Sequence, residues 1–228
     1  KKAKSLPRVD ALPEQADSHA LYIAPDGSVG VAWEEGVCVL TPMEAAMMGA
    51  QLGSFRDGVC HDLKSTLHRL DELGLSHGEY VFDTALAAYD LNPSQSDYPV
   101  SKLATNFLGL TVEDGDAGAC AEAVWLLRSE LDDELKKQGM ESLYYDMELP
   151  LCSVLYRMEK RGISIDRSQL EQFGTMLSER IAACEELIYS YSEEKFNINS
   201  TKQLGELLFD KLGLPPVKKT KTGYSTNA

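Results

Sequence analysis

Three polar residues beside short apolar segments could do chemistry in this sequence. His61 and Asp62 follow the apolar pair at 59–60, and Asp83 follows the pair at 81–82. Carboxylates and imidazole rings bind divalent metals, so a small metal site is one interpretation. The other is that Asp62 and Asp83 cap the helices that begin after them, which is a common role for aspartate. We favour the caps and expect no metal site.

Lysines in the last part of the chain are the second candidate. From Lys195 onward there are six basic and two acidic residues, whereas residues 1–145 hold 11 basic and 24 acidic ones. The net charge is −14, so the first part should repel a polyanion while the tail could attract one. The alternative is that these lysines belong to an ordinary solvated loop.

The first part of the chain alternates between strand and helix signals. Apolar runs at 20–24, 28–34 and 37–41 are separated by turn residues and predict a three-stranded meander. Short strands are expected at 59–60 and 81–82. Helices are expected at 42–52, 62–73, 83–91, 100–108 and 117–138. This mixture predicts an α/β domain.

Beyond residue 147 only helical patterns remain, so we expect an all-α segment. Helices are predicted at 148–161, 166–191 and 200–213. Asp166 with Gln169 and Ser200 with Gln203 have the spacing of capping boxes. We divide the chain into residues 1–17, a linker or frayed end, a domain at 18–146, and a second domain at 147–228.

Cysteine usage and hydropathy exclude several classes of protein. The five cysteines are far apart and form no C-x-x-C pair, so disulfides and zinc sites are not expected. We expect each cysteine to be a small core residue. No apolar run reaches 18 residues and the first ten residues lack a signal-peptide core, so we expect neither a membrane span nor secretion. We expect a monomer in the cytoplasm.

Residues 146–228 resemble the thumb of family A DNA polymerases. The resemblance rests on FNINSTKQLGELLFDKLGLP at 196–215, KKTKTGYST at 218–226, ELPL at 148–151 and MEKRGISID at 158–166. These four segments occur in the family's order. More weakly, VFDTALAAYDLNP at 81–93 and CHDLK at 60–64 resemble the 3′–5′ exonuclease domain of the same polymerases, which implies a ribonuclease H-like fold.

The resemblance implies that the exonuclease is inactive. Active members carry Asp-x-Glu on the first strand, but residues 20–24 read ALYIA. They carry an aspartate where this chain has Thr66, and Cys120 stands where the third motif has its aspartate. Asp26 falls in a turn and should point elsewhere. Two-metal hydrolysis needs such carboxylates, so we expect no catalytic residue here. An active metal-dependent 3′–5′ exonuclease and a non-catalytic protein-interaction module remain the alternatives.

The resemblance also implies what the tail contacts. The family's thumb grips the backbone of primer–template duplex DNA, and polymerases of this family replicate and repair DNA. The DNA-binding residues implied here are Asn197, Asn199, Ser200, Lys202, Lys218, Lys219, Thr220, Lys221, Thr222, Tyr224, Ser225 and Thr226. The palm, with its Mg²⁺, and the fingers would lie beyond this chain and be its partners in the same polymerase, so no cofactor is expected in these residues.

Overall fold

The computed structural model describes residues 5–192, 195–215, 219–220 and 223–224. It contains two compact units, residues 1–162 and 163–228. The first unit is built on a five-stranded sheet in the order β3-β2-β1-β4-β5. Its strands are His19–Ile23 (β1), Val29–Trp33 (β2), Gly36–Leu40 (β3), Gly58–Cys60 (β4) and Tyr80–Asp83 (β5).

The sheet combines two kinds of pairing. The predicted meander is present, because β1, β2 and β3 pair antiparallel in sequence order. β4 and β5 extend the sheet in parallel to β1. Gly27 lies in the β1–β2 turn with φ +86°, a conformation that favours glycine.

Residues 5–17 do not form a frayed end. Residues 5–17 are described, and the Val9 amide donates to the Val37 carbonyl while the Val37 amide donates to the Pro7 carbonyl. Leu12 is buried. The prediction for residues 1–17 is therefore wrong in its described part, because this segment pairs with the otherwise open edge of β3.

Helices cover both faces of the sheet. They lie at Pro42–Met47 (α1), Gly49–Leu52 (α2), Leu63–Glu72 (α3), Thr84–Leu91 (α4), Val100–Leu103 (α5) and Ala117–Gln138 (α6). A π-helical turn, Ala104–Leu108, continues α5. α6 packs so closely on β2 that a Cβ at Gly30 would lie 1.9 Å from the Ala117 carbonyl oxygen.

Two apolar cores lie on the two sides of the sheet. One joins Ala20 and Phe82 to Val124 and Leu127 of α6. The other joins Leu21 and Ile23 to helices α1 to α3. Because adjacent residues of β1 point into different cores, the end of this strand is fixed from both sides.

A further helix, Leu149–Arg161 (α7), also belongs to the first unit. It follows a π-helical segment, Leu143–Glu148, and ends at Gly162, the predicted stop. Tyr156 of α7 is buried against Leu63 and Leu67 of α3. This packing places the boundary between compact units at residue 162, after the domain boundary that the sequence predicts at 146. The functional boundary stays a prediction.

We expect the attachment of α7 to α3 to depend on pH. Hydrogen bonds from Lys160 and Tyr156 lower the pKa of Asp71 to about 2, and the Lys160 Nζ lies 2.8 Å from Asp71 Oδ2. A carboxyl whose folded pKa is lowered stabilises the fold above its unfolded pKa of about 3.9. That contribution is lost as the pH falls from about 4 to about 2.

Thermal unfolding followed across this pH range should therefore distinguish Asp71→Asn from the unmodified chain. The variant should melt at a lower temperature at neutral pH, and the difference should shrink in acid. Asp97→Asn is the control, because Asp97 is exposed and pairs with Lys102 at 3.4 Å. A difference at Asp71 that is constant with pH would contradict this account.

The second unit begins with a long exposed helix. This helix is Arg167–Ser190 (α8). The second unit also contains Thr201–Gly205 (α9) and a π-helical turn, Glu206–Lys211. Asp166 caps α8 by accepting from the Gln169 amide at 3.1 Å. Cys184 is exposed and Cys152 of the first unit is half-buried, so the prediction of a core position is right for Cys38, Cys60 and Cys120 but not for these two.

The second unit is not entirely helical. Lys219–Thr220 (β6) and Gly223–Tyr224 (β7) pair antiparallel, which corrects the all-α prediction. Two residues separate these strands in the sequence, which is the spacing of a tight hairpin. Threonine and tyrosine favour strands. Among the residues that the structure describes, no helix is both long and apolar enough to cross a bilayer.

Candidate functional site

Asp83 is the most highly connected carboxylate in the first unit. It is 3% exposed and accepts hydrogen bonds from four backbone amides. Two belong to Asp62 and Leu63, at 2.9 and 2.7 Å, and two to Ala85 and Leu86, at 2.9 and 3.2 Å. The predicted cap of α4 is confirmed, and the same carboxylate also holds the start of α3. Its oxygens are therefore engaged in structure.

His61 and Asp62 are also engaged. Asp62 caps α3, accepting from the amide and hydroxyl of Ser65 at 3.1 and 2.6 Å. The His61 Nδ1 lies 2.8 Å from the Thr84 hydroxyl. Burial lowers the pKa of His61, although the nearby Asp83 and Asp62 oppose this. Within the described part of the chain, no group of three or more His, Cys, Asp or Glu side chains could hold a metal ion.

The end of β1 carries neutral side chains where the resemblance places metal ligands. The Tyr22 hydroxyl donates to the Asp114 carbonyl at 2.9 Å, and the Cys120 thiol donates to the Glu113 carbonyl at 3.3 Å. Tyr22 and Cys120 also contact each other, although 98 positions separate them in the sequence. Burial raises the pKa of Cys120 to about 12, so its thiol is protonated at neutral pH and is a poor metal ligand.

A cation lies near Tyr22 at the end of β1. The Arg69 guanidinium donates to the Ile23 and Ala24 carbonyls at the end of β1, and its charge acts on Tyr22. A fixed positive charge of this kind disfavours a divalent cation nearby. The Asp114 carboxylate also acts on Tyr22 and Cys120, but it accepts from the amide and hydroxyl of Ser101 at 2.9 and 2.6 Å. One carboxylate that is already bonded, with Arg69 nearby, does not fit a two-metal centre.

Asp26 and Thr66, the two other positions that the resemblance singles out, make local hydrogen bonds. Asp26 accepts from the amide and hydroxyl of Ser28, at 2.9 and 2.7 Å, and stays exposed in the turn. Thr66 is buried, and its hydroxyl donates to the His61 carbonyl at 3.2 Å. Neither side chain supplies a carboxylate to the end of β1.

The roles of Arg69 and Tyr22 and the double role of Asp83 were not predicted from the sequence. Arg69 lies one helical turn after Thr66. Its position on the same face of α3 as Thr66 could therefore have been predicted from the spacing. Nothing local indicated that Tyr22 contacts Cys120, because that contact depends on how α6 crosses the sheet.

Four of the predicted DNA-binding residues lie at the start of α9: Asn197, Asn199, Ser200 and Lys202. Ser200 caps α9, and its hydroxyl accepts from the Gln203 amide at 3.4 Å. The reciprocal bond of a capping box is absent, because Gln203 Oε1 accepts instead from the Asn197 amide at 2.8 Å. Asn197 Oδ1 accepts from the Asn199 amide at 3.0 Å, which fixes a turn before the helix.

The short hairpin lies next to the same helix. The backbone of β7 contacts α9, and the predicted residues Lys219, Thr220 and Tyr224 are in the paired strands. Lys202 of α9 is exposed. The other predicted residues lie outside the described part of the chain: Lys218, Lys221, Thr222, Ser225 and Thr226.

Comparison with known proteins identifies a common family for both units. The model of DNA polymerase family A matches residues 167–228. DNA polymerase I of Geobacillus stearothermophilus is 39% identical over 187 residues, covering 73% of this chain and 21% of that protein. DNA polymerase I of Mycobacterium tuberculosis is 31% identical over 239 residues, covering 95% of this chain and 26% of that protein. The chain thus spans about a fifth to a quarter of these relatives.

A solved structure extends the similarity to the fold. It is described as the POL domain of Pol1 from M. smegmatis in complex with DNA primer-template and dNTP. It superimposes with a TM-score of 0.73 at 30% identity, covering 92% of this chain and 39% of that one. The chain therefore belongs to the family A DNA polymerases and corresponds to a segment of a bacterial DNA polymerase I.

Proposed function

We propose that this chain supplies two parts of a template-directed DNA polymerase: a nuclease-like unit without catalysis, and a segment that holds duplex DNA. One observation carries the first part. The end of β1 presents Tyr22, Cys120 and Arg69 where hydrolysis by two metals would need carboxylates. The unit would then serve as a scaffold. Because the sequence assigns residues 147–161 to the polymerase domain, the packing of α7 on α3 would be the contact between scaffold and polymerase.

The sheet supports a ribonuclease H-like exonuclease fold for this unit. Three antiparallel strands are followed by two parallel ones, with β1 in the middle. In sheets with parallel strands, sites form at the carboxyl ends of the strands. Tyr22 and the carbonyls bound by Arg69 are at that end of β1. The fold thus retains the position of a nuclease site while lacking its ligands.

The DNA-holding role rests on the second unit. A relative of similar fold has been solved with primer-template DNA, and here the exposed Lys202 of α9 lies next to a turn that contains Asn197, Asn199 and Ser200. A polymerase accepts any sequence, so its grip should use phosphate and sugar contacts. The exposed Lys202 and the turn at Asn197 and Asn199 suit such contacts, because they offer a cation and polar side chains without reading bases.

We expect no metal-dependent exonuclease activity from the first unit. Single-stranded DNA labelled at its 5′ end, incubated with the chain and Mg²⁺ or Mn²⁺, should be shortened no faster than with EDTA. The physical reason is that Tyr22 and Cys120 are protonated at neutral pH, while the nearby Asp114 carboxylate already accepts from the amide and hydroxyl of Ser101.

Mononucleotide release that requires metal and is abolished by Asp62→Ala would overturn this expectation. Asp62 is suitable for this control because it is an exposed cap with two local bonds. Asp83→Ala is less suitable, because its loss would disturb two helices at once. Release that survives Asp62→Ala and EDTA would indicate a contaminating nuclease.

A further inference from the structure

A small cavity lies between α4, α5 and the second half of α6, and both apolar and polar side chains line it. Its volume is about 210 Å³. Ala88, Leu91 and Leu103 supply aliphatic surface, and the rings of Tyr98 and Phe107 supply aromatic surface. Pockets for drug-sized ligands hold about 300–1,000 Å³. This cavity can therefore take only a smaller molecule.

Gln95 adds an acceptor without a partner to this lining. Its Oε1 atom is buried and accepts no hydrogen bond within the ranges that the structure describes. A buried oxygen in this state bears the cost of its lost hydration, which a donor would relieve. Because the terminal torsion of a glutamine side chain has broad energy wells, this oxygen can turn toward a donor that enters the cavity. The ligand should therefore carry N–H or O–H groups.

The charges around the cavity favour a cation. Glu134 lines it from α6, and the Glu134 Oε1 accepts from the Lys137 Nζ at 2.6 Å. Asp133 and Glu130 also act electrostatically on Lys137, so acidic groups outnumber the one lysine here. Residues 1–145 carry 24 acidic against 11 basic residues. A field of this sign attracts cations and disfavours an anionic ligand.

The aromatic lining indicates which cation suits the cavity. The faces of tyrosine and phenylalanine rings attract cations. A guanidinium group is planar, stacks on aromatic rings and is more weakly hydrated than an ammonium group. It also presents several N–H donors in one plane, and the carboxamides of Asn106 and Gln138 offer further acceptors in the lining. A guanidinium group therefore matches both the rings and the acceptors.

We propose that this cavity binds a small guanidinium compound, whose N–H groups donate to Gln95 and Glu134 and whose face contacts Tyr98 and Phe107. The site is distinct from the end of β1, because neither Tyr22 nor its neighbours there are among the described residues that line it. The inference does not rest on the proposed function, since DNA, metal ions and later segments of a polymerase take no part in it.

Ligand-observed saturation-transfer NMR on the full polymerase tests the proposal with three matched compounds. Butylguanidinium should bind saturably, with a dissociation constant of about 1 mM for a ligand of this size. Butylurea has a similar shape but no charge, so it should bind about tenfold more weakly or worse. Butylammonium keeps the charge but has a compact, strongly hydrated head, so it should also bind more weakly than butylguanidinium.

Two variants assign the binding to this cavity. Gln95→Leu removes the acceptor and should weaken butylguanidinium binding about tenfold. Its melting temperature should stay the same or rise, because an apolar side chain replaces a buried carboxamide oxygen without a partner. Glu134→Gln removes the charge and should weaken binding about fivefold. Glu130→Gln is the matched control, because it makes the same charge change one turn earlier on α6, outside the lining. It should leave the dissociation constant unchanged.

Several results would overturn the proposal. They are an absence of saturable butylguanidinium binding well above about 1 mM, equal binding of butylurea or butylammonium, and equal losses for Glu134→Gln and Glu130→Gln. Butylguanidinium binding that is unchanged in Gln95→Leu would place the ligand elsewhere on the protein. The melting temperature of Gln95→Leu shows whether this variant is folded, so a loss of binding by the folded protein is due to the missing acceptor.

Discussion

Replacing Asp83 with alanine should lower the free energy of unfolding by about 4 kcal/mol. The carboxylate accepts from four backbone amides at the starts of α3 and α4. Losing one helix cap typically costs about 1 kcal/mol. Buried amides left without an acceptor each add about 1–3 kcal/mol. Because water cannot reach a residue that is 3% exposed, little of this loss should be recovered.

Urea unfolding followed by circular dichroism measures this loss. Asp116→Ala is the matched control, because Asp116 caps α6 from an exposed position through one hydrogen bond of 2.9 Å to the Ala119 amide, with only an exposed ion pair to Arg8 at 3.7 Å besides. It should cost about 1 kcal/mol. Asp83→Asn keeps the size of the side chain but points an amide group at backbone donors, so it should also lower the free energy of unfolding. Equal losses for Asp83→Ala and Asp116→Ala would show that the double cap is not a major support of the fold.

Changing Lys218, Lys219 and Lys221 together to alanine should weaken DNA binding by the full polymerase about a hundredfold or more near 0.1 M salt. Each phosphate contact releases condensed counterions. Three contacts contribute a slope of about −2.7 to the logarithm of affinity against the logarithm of salt concentration. The slope is the sharper quantity, because it reports the number of phosphate contacts directly.

Fluorescence anisotropy with a primer–template duplex at several salt concentrations gives both quantities. The control replaces Lys102, Lys136 and Lys137 with alanine. These lysines are also exposed, but they pair with acidic neighbours in the first unit. The control should leave the slope unchanged. A slope that is unaffected by the change in the tail would remove these lysines from the DNA interface.

Most of the elements were predictable because their signals are local. α6 spans Ala117–Gln138 as predicted, with Asp116 as its cap and a left-handed Gly139 at its end. The β1–β2 turn follows from Asp26 and Gly27, whose backbone and side-chain preferences act within a few residues. Such features depend on short stretches of sequence, so they can be predicted without knowledge of the rest of the fold.

The rest depended on contacts between distant residues. Residues 5–17 have no strand pattern of their own, yet Val9 pairs with Val37 because β3 leaves an open edge. The second role of Asp83 arises only when β4 and β5 place the starts of two helices side by side. For the candidate site, the sequence shows directly that residues 20–24 contain no carboxylate. The Tyr22–Cys120 contact and the position of Arg69 required the packed sheet.

Binding of Mn²⁺ is the most direct test of the claim that the nuclease-like unit has no metal centre. Free Mn²⁺ can be measured by electron paramagnetic resonance while the chain is added at neutral pH. The account predicts weak binding without saturation, because Tyr22 and Cys120 are protonated and Arg69 is cationic at the end of β1. One or two saturable ions per chain, lost when Asp62 is changed to alanine, would contradict it.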